Sequence, residues 1–168
     1  MSTCSVYVID SDVFMTAARN YYAFDLAPGF WVALVREARN GCLLSIDRVK
    51  DEIDEGKDQL KDWANSEFRS WFVTTMDDKV IGHYQAIMQW ALSQPQFSDA
   101  AKAEFADLKN ADAWLVAYAK ATNGLVVTNE TYDDKIRRRI KIPNACKAFL
   151  VAYVDLYQMM RALGIRLT

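Results

Sequence analysis

Acidic side chains stand at or near the ends of short apolar segments in this chain. The first such segment, VYVI at 6–9, is followed at once by Asp10, Ser11 and Asp12. Taken alone, these three residues are most simply interpreted as a helix cap, because an Asp or Ser oxygen accepts a free backbone N–H at the start of a helix.

Further acids occupy similar positions in three other segments. They are Glu52, Asp112, Glu130 and Asp133. Helical spacing places Glu52 beside the apolar stripe of one predicted helix and Asp112 on the apolar side of another. A carboxylate at such a position is costly unless it is paired or binds a metal ion.

Carboxylates gathered from four segments repel one another unless a cation lies among them. Their oxygens are the ligands that Mg²⁺ and Mn²⁺ prefer. Such ions activate water and stabilise an in-line displacement at phosphorus. The acids therefore predict a Mg²⁺ or Mn²⁺ site. The simpler alternative is that these acids only occupy strand-to-helix turns and bind no metal ion.

Other catalytic chemistries have few candidate residues. His83 is the only histidine and lies far from the acid-rich turns, which disfavours Ser-His-Asp and Cys-His sites. The chain contains neither a G-x-G-x-x-G motif nor a P-loop. Cys4, Cys42 and Cys146 are odd in number and widely spaced, which predicts buried thiols in a reducing compartment.

The composition of the 168 residues, 52% hydrophobic and 25% charged, predicts one globular domain over 1–168. No apolar run reaches the roughly 20 residues of a membrane span, and the N-terminus resembles no targeting signal. We therefore expect a cytoplasmic protein with no membrane partner.

A net charge of −2 argues against a general nucleic-acid binder, so any polyanion site must use a local basic patch. The obvious patch is the segment 135–142, KIRRRIKI. Its cations are Lys135, Arg137, Arg138, Arg139 and Lys141. A solvated charged segment explains the same residues equally well.

Short apolar segments alternate with helical patterns along the chain. Strands are predicted at 5–9, 42–46, 70–74, 124–128 and 151–154. Helices are predicted at 29–40, 47–56, 78–93, 98–108, 110–124 and 156–163, with a solvated helix within 56–69. This alternation predicts an α/β fold with a parallel sheet covered on both faces. Ligands bind such sheets outside the carboxyl ends of the strands, where the acids would meet.

The order of these acids along the chain resembles the pattern of the PIN domain, the fold of prokaryotic VapC-type ribonuclease toxins. Asp10-Ser11-Asp12 matches its D-[ST]-[ND] pattern, and Ser45 to Glu52 loosely matches an S-x-x-T-x-x-E pattern. ADAWLVAYA with Asp112 resembles the helix before the fourth strand. The T-x-[DN]-x-x-D pattern is matched by Thr128, Glu130 and Asp133. The stretches RNYYAFDLAPGFW, SIDRVKDEI and KIPNACKAF resemble one PIN-like subfamily, a domain of unknown function numbered 4411.

This resemblance implies a three-layer α/β/α domain with a five-stranded parallel sheet in the order 3-2-1-4-5. It implies a metal-dependent endoribonuclease, the toxin of a toxin–antitoxin pair, with RNA, an antitoxin and a second copy of the chain as partners. By carry-over, Asp10, Glu52 and Asp112 hold Mg²⁺ or Mn²⁺, and Glu130 or Asp133 completes the site. Ser11, Asp12 and Thr128 surround these ligands.

Two positions depart from the family pattern. Asp12 stands where Asn is common, so it could remain a helix cap that does not touch the metal. Glu130 stands where Asp is common, and its longer side chain makes a second metal site less secure than the first.

Two other functions compete with the nuclease. VIDSDVF also resembles the D-x-D motif of haloacid-dehalogenase-type phosphohydrolases, in which Asp10 would be the nucleophile and Asp12 the acid/base. That alternative lacks a later G-D-x-x-x-D pattern and leaves Glu52 and Asp112 without roles. In the third interpretation the chain is a non-catalytic PIN-like binding module.

Overall fold

A five-stranded parallel sheet forms the centre of the chain in a computed structural model that describes residues 4–168. The strands are β1 (Tyr7–Ile9), β2 (Leu43–Ile46), β3 (Phe72–Val73), β4 (Leu125–Val127) and β5 (Tyr153–Val154). Their spatial order is β3-β2-β1-β4-β5, with parallel pairing throughout. The predicted fold class, strand order and five strand segments are confirmed.

Helices connect and cover the strands. They are α1 (Ser11–Thr16), α2 (Pro28–Arg39), α3 (Asp47–Asp54), α4 (Gln59–Ser66), α5 (Asp78–Ser93), α6 (Asp99–Ala106), α7 (Asp112–Thr122), α8 (Ile142–Ala148) and α9 (Leu156–Leu163). A π-helical turn, Ala17–Tyr21, extends α1, and a 3-10 turn, Arg69–Trp71, precedes β3. Within residues 4–168, no helix is long and apolar enough to cross a membrane.

The central strand β1 is covered on both faces. Neighbouring residues of a strand point to opposite faces of the sheet, and Val8 and Ile9 are both fully buried. Tyr7 pairs with Leu43 of β2 and with Leu125 of β4. The carboxyl end of β1 therefore opens between two strands of the same direction, at the switch point where such sheets bind ligands.

Helix α7 returns to the sheet through a tight turn. Asn123 ends the helix in the left-handed conformation, with φ of 59°. A Cβ on Gly124 would lie 3.0 Å from Val8 Cγ2 and 3.2 Å from the Val6 carbonyl oxygen. Glycine at this position therefore lets the chain enter β4 directly against β1.

Three local expectations are wrong in whole or in part. Helix α4 is solvated on one face only, because its apolar side chains Leu60 and Trp63 are buried in the core. Asp10, not Asp12, occupies the N-cap position of α1, and its side chain makes no capping hydrogen bond. The capping interpretation of the first acid cluster therefore fails for both aspartates. Asp12 lies in the first turn of α1, where the helix dipole favours a negative charge.

The prediction of separate thiols also fails for one pair of cysteines. Cys4 and Cys42 are joined by a disulfide, whereas Cys146 is a buried free thiol. Both bonded residues come just before adjacent strands, since Tyr7 pairs with Leu43. The spacing of 38 residues along the chain hides this proximity.

We expect this cross-link to stabilise the protein under oxidising conditions. A loop of this length contributes up to about 4 kcal/mol by restricting the unfolded chain. Dithiothreitol should lower the thermal midpoint of the wild type but leave Cys42→Ser unchanged, as measured by differential scanning calorimetry. A wild-type midpoint that does not respond to complete reduction would contradict the pairing. Cys146→Ser is the matched control and should keep the response of the wild type.

Candidate metal centre

Asp10 is held rigidly at the carboxyl end of β1. Its backbone N–H donates to the carbonyl of Val127 in β4 at 3.0 Å. The buried Ser45 hydroxyl donates to the carbonyl of the preceding residue, Ile9. The Asp10 side chain is 2% exposed, and its Oδ2 accepts a long hydrogen bond from the Thr128 hydroxyl at 3.5 Å. Thr128 thus lies against Asp10, as the family pattern implied.

Burial is the main cause that raises the pKa of Asp10 well above its ordinary value. The carboxylates of Asp112, Glu130 and Glu52 raise it further, in that order. A buried acid surrounded by other acids favours its neutral form unless a cation compensates the charge. A cation bound nearby would therefore favour the charged form of Asp10.

Glu52 lies on the second turn of α3, directly after β2. The Ser11 hydroxyl donates to its Oε1 at 3.4 Å, which ties α3 to the start of α1. Burial raises the pKa of Glu52 to about 7, although hydrogen bonds from the Ala111 backbone and Ser11 oppose the shift.

Asp112 is the first residue of α7. Its backbone N–H donates to Asn110 Oδ1 at 2.9 Å, so Asn110 fixes the beginning of the helix. Burial raises the pKa of Asp112 to about 7, with repulsion from Glu130 and Glu52 adding to the shift and Arg139 opposing it.

These acids line one cleft of about 480 Å³. Of the predicted site residues, it is lined by Asp10, Ser11, Asp12, Glu52, Asp112, Glu130 and Arg139. The expectation that four segments bring their acids to one edge of the sheet is met. We refer below to this space as the acidic cleft.

Glu130 differs from the other acids because both of its oxygens already have partners. Arg139 Nη2 lies 2.7 Å from Oε1, and the Ile142 backbone N–H donates to Oε2 at 2.8 Å. Its own backbone N–H donates to the Thr128 hydroxyl at 3.1 Å. Glu130 therefore ties β4 to the loop before α8, and its predicted role as a metal ligand requires that Arg139 moves away.

Asp133 does not line the acidic cleft. It is exposed, and its Oδ1 accepts a hydrogen bond from the Lys135 backbone at 3.0 Å. Of the basic segment, Arg139 alone reaches the cleft; its other cations, Lys135, Arg137, Arg138 and Lys141, do not line it. The guanidinium Nε of Arg139 is buried and has no hydrogen-bond partner among the described residues.

The sequence patterns missed part of the cleft wall. The additional residues are Glu104, Asp107, Lys109 and Asn110. They precede α7, whose end leads into β4, so the beginning of α7 lies at the carboxyl edge of the sheet. The sequence predictions considered mainly residues that follow strands, and these four residues precede a helix instead.

The donor set fits a hard divalent cation with many water ligands. Within residues 4–168, no three His, Cys, Asp or Glu side chains are grouped closely enough to form a complete ligand set. Mg²⁺ uses only one or two carboxylates together with water and substrate oxygens. Asp10, Glu52 and Asp112 supply oxygen donors whose mutual repulsion a cation would relieve.

Comparisons with known proteins agree with this fold. A family model described as "Domain of unknown function (DUF4411)" matches residues 7–167. No curated protein matches the chain. A chain from the crystal structure of VapBC2 from Rickettsia felis, bound to a DNA fragment from its promoter, has a similar structure, with a TM-score of 0.53 and 16% identity. The match covers 89% of this chain and 98% of the other, and it shows a PIN-like fold.

The raised pKa values predict how stability depends on pH when a chelator keeps the protein free of metal. The pKa of Glu52 rises from 4.5 to about 7 and that of Asp112 from 3.8 to about 7 on folding. The folded state therefore holds protons that the unfolded state has released, so these groups lower stability as pH rises from about 4.5 to about 7. Urea unfolding in EDTA should give a greater stability at pH 5.5 than at pH 8.

Glu52→Gln combined with Asp112→Asn should reduce this difference, because neutral amides do not titrate. The exposed acid Asp51, next to Glu52 on α3, offers the control Asp51→Asn, which should keep the wild-type dependence. An equal pH dependence in all three proteins would contradict the burial of these carboxyl groups.

The contacts of Glu130 predict a structural role that Asp133 lacks. Glu130→Ala removes a charge pair and leaves the buried Ile142 N–H without its acceptor, which should cost about 2 kcal/mol of unfolding free energy. Asp133→Ala is the matched control and should cost under about 1 kcal/mol. Urea unfolding at neutral pH measures both. Equal losses would show that Glu130 is not the tether we describe.

Proposed function

Because the chain belongs to the DUF4411 family and has a PIN-like fold, we propose that it is a divalent-cation-dependent endoribonuclease. In this proposal, residues 1–168 act as one PIN-like domain. The observation that carries it is the convergence of Asp10, Glu52 and Asp112, from three separate segments, on one cleft at the carboxyl edge of the sheet. A fold alone does not imply an activity, so the site must supply the argument.

Asp10, Glu52 and Asp112 are the residues that would hold Mg²⁺ or Mn²⁺. When bound there, the ion would supply Lewis-acid activation of water and charge compensation at the phosphate. Ser11 orients Glu52 through its hydroxyl, and Thr128 supports Asp10. Asp12 lies at the cleft wall without a capping role.

Arg139 and Lys109 are the two cations of the acidic cleft that could meet an RNA phosphate, and Arg139 is the one that belongs to the basic segment. It lines the acidic cleft, and its Nε has no acceptor among the described residues. The Arg139 side chain is 41% exposed, so an RNA phosphate would first meet the exposed part of the guanidinium; it would reach the buried Nε only if Arg139 moves away from Glu130. The exposed cations Lys135, Arg137 and Arg138, with the half-buried Lys141, would then follow the backbone of the RNA outside the cleft.

Release of Arg139 from Glu130 would make Glu130 available as a further oxygen donor. Asp133 would take part in catalysis only if the loop that carries it moves toward the cleft. The structure therefore favours Glu130 over Asp133 as the residue that completes the site.

We further propose that the chain is a prokaryotic toxin controlled by an antitoxin protein. The structural neighbour comes from a VapBC2 complex. A basic antitoxin side chain would pair with the carboxylates of the acidic cleft and exclude the metal ion. As in other PIN toxins, two copies of the chain would form a dimer. We also propose a cytoplasmic location, in which the Cys4–Cys42 disulfide of the structure would be exposed to cellular reductants.

The nuclease proposal predicts a sharp loss of activity on neutralising one acid. Asp10→Asn and Glu52→Gln should each reduce Mn²⁺-dependent cleavage of an unstructured fluorophore–quencher RNA at least 100-fold, because each removes a charged oxygen donor. Asp51→Asn removes an exposed charge from the same helix as Glu52 and should cleave at the wild-type rate. The fluorescence increase per unit time measures cleavage.

Three results would contradict the proposal. Equal cleavage by the wild type and Asp10→Asn would indicate a contaminating nuclease. Hydrolysis of a small phosphate monoester without RNA cleavage would favour the haloacid-dehalogenase-type mechanism with Asp10 as the nucleophile. An inactive wild type in Mn²⁺, free of any antitoxin, would favour a binding module.

A further inference from the structure

A second cavity, of about 320 Å³, lies beside the acidic cleft. The two spaces share one residue, Asp12, which lines both. The second cavity is bordered by the end of the π-helical turn and by the beginning of α9. We call it the tyrosine cavity, after the side chains Tyr21 and Tyr157 that line it.

The two tyrosines present aromatic surface that the fold itself does not use. Tyr21 is 58% exposed and Tyr157 is 45% exposed. Their ring centroids are 6.5 Å apart with the planes at 67°, so the rings meet edge to face and leave ring surface open. Apolar side chains of Val13 and Leu156 form further parts of the wall. A flat, uncharged ring fits such a wall because it can pack against aromatic surface.

The charged side chains of this cavity are acceptors, although Asp155 Oδ1 already accepts from the Gln158 backbone N–H at 2.8 Å; Thr16, Asn129 and the tyrosine hydroxyls can also donate. Asp12 and Asp155 both line it, and no lysine or arginine does so among the described residues. Asn129 Nδ2 lies 3.5 Å from one oxygen of Asp12 and leaves the other oxygen of Asp12 available. Two carboxylates without a cation disfavour a phosphate, whereas they accept hydrogen bonds from exocyclic amino groups.

We propose that the tyrosine cavity binds one unpaired nucleobase that carries an amino group, adjacent to the phosphate held in the acidic cleft. The substrate is therefore single-stranded RNA with adenine, cytosine or guanine at this position. The inference rests on the proposed nuclease function and adds a base-binding site to it. A cavity of this volume lies at the small end of the range for ligand sites, which suits one base.

The experiment measures RNA binding separately from cleavage. Asp10→Asn serves as the background, with EDTA present, and fluorescence anisotropy follows end-labelled single-stranded pentamers of adenosine, cytidine or uridine. The background protein should bind the adenosine and cytidine pentamers at least about fivefold more tightly than the uridine pentamer. Adding Tyr157→Ala should weaken adenosine binding about tenfold, as expected for the loss of one stacked base.

Matched variants keep the test interpretable. Tyr157→Phe retains the ring and should bind within about twofold of the background. If Tyr157→Ala lowers the thermal midpoint, Tyr21→Ala serves as the test variant in its place, because Tyr21 is more exposed than Tyr157. Tyr21→Ala should then weaken adenosine binding to a similar extent. Unchanged binding in both alanine variants, or equal binding of all three pentamers, would overturn the base site. So would a background protein that binds none of the pentamers.

Failure of this inference is distinguishable from failure of the nuclease proposal. If the wild type cleaves RNA with Mn²⁺ while both alanine variants bind as the background does, the base site alone is wrong. If the wild type cleaves no RNA while the tyrosine-dependent preference for amino-bearing bases persists, the cavity binds RNA and the catalytic proposal is wrong.

Discussion

Repulsion among carboxylates that the sheet holds at its carboxyl edge is the constraint on which the site depends. Asp10 cannot move away, because its backbone is hydrogen-bonded into β4 and its side chain is buried. Glu52 is held through Ser11, and Asp112 by the start of α7. The fold thus keeps these acids near one another at a cost in free energy, which protonation or a cation would relieve. Such a cost is typical of functional sites rather than of structural ion pairs.

The loop between β4 and α8 places one cation at this largely acidic edge. Glu130 holds Arg139 at the wall of the acidic cleft and accepts a hydrogen bond from the start of α8. The same contact therefore compensates part of the negative charge, and in the proposed function the guanidinium of Arg139 would meet the phosphate. On the other side of Asp12, the tyrosine cavity has aromatic surface and acceptors but no cation among its described lining residues. The two spaces therefore differ in charge and in aromatic surface, which is the difference on which the proposed phosphate and base sites rest.

Much of the fold and of the cleft follows from local patterns, and the failures have physical causes. Apolar runs locate all five strands, and the rule that ligands bind at carboxyl ends brings Asp10 and Glu52 together. The Glu130–Arg139 pair lies in an irregular segment with no periodicity from which to infer it. The Cys4–Cys42 bond depends on the register between neighbouring strands, which spacing along the chain does not reveal.

We propose that Asp10, Glu52 and Asp112 surround one divalent cation, with at most two of them in direct contact and the third reached through water. The most direct measurement is anomalous diffraction from crystals soaked in Mn²⁺, recorded for the wild type and for Asp10→Asn. The account predicts an anomalous peak in the acidic cleft of the wild type, in contact with an Asp10 oxygen and with no more than one further carboxylate, and its loss in the variant. A cleft without a peak at millimolar Mn²⁺, or a peak of the same height in both proteins, would contradict it.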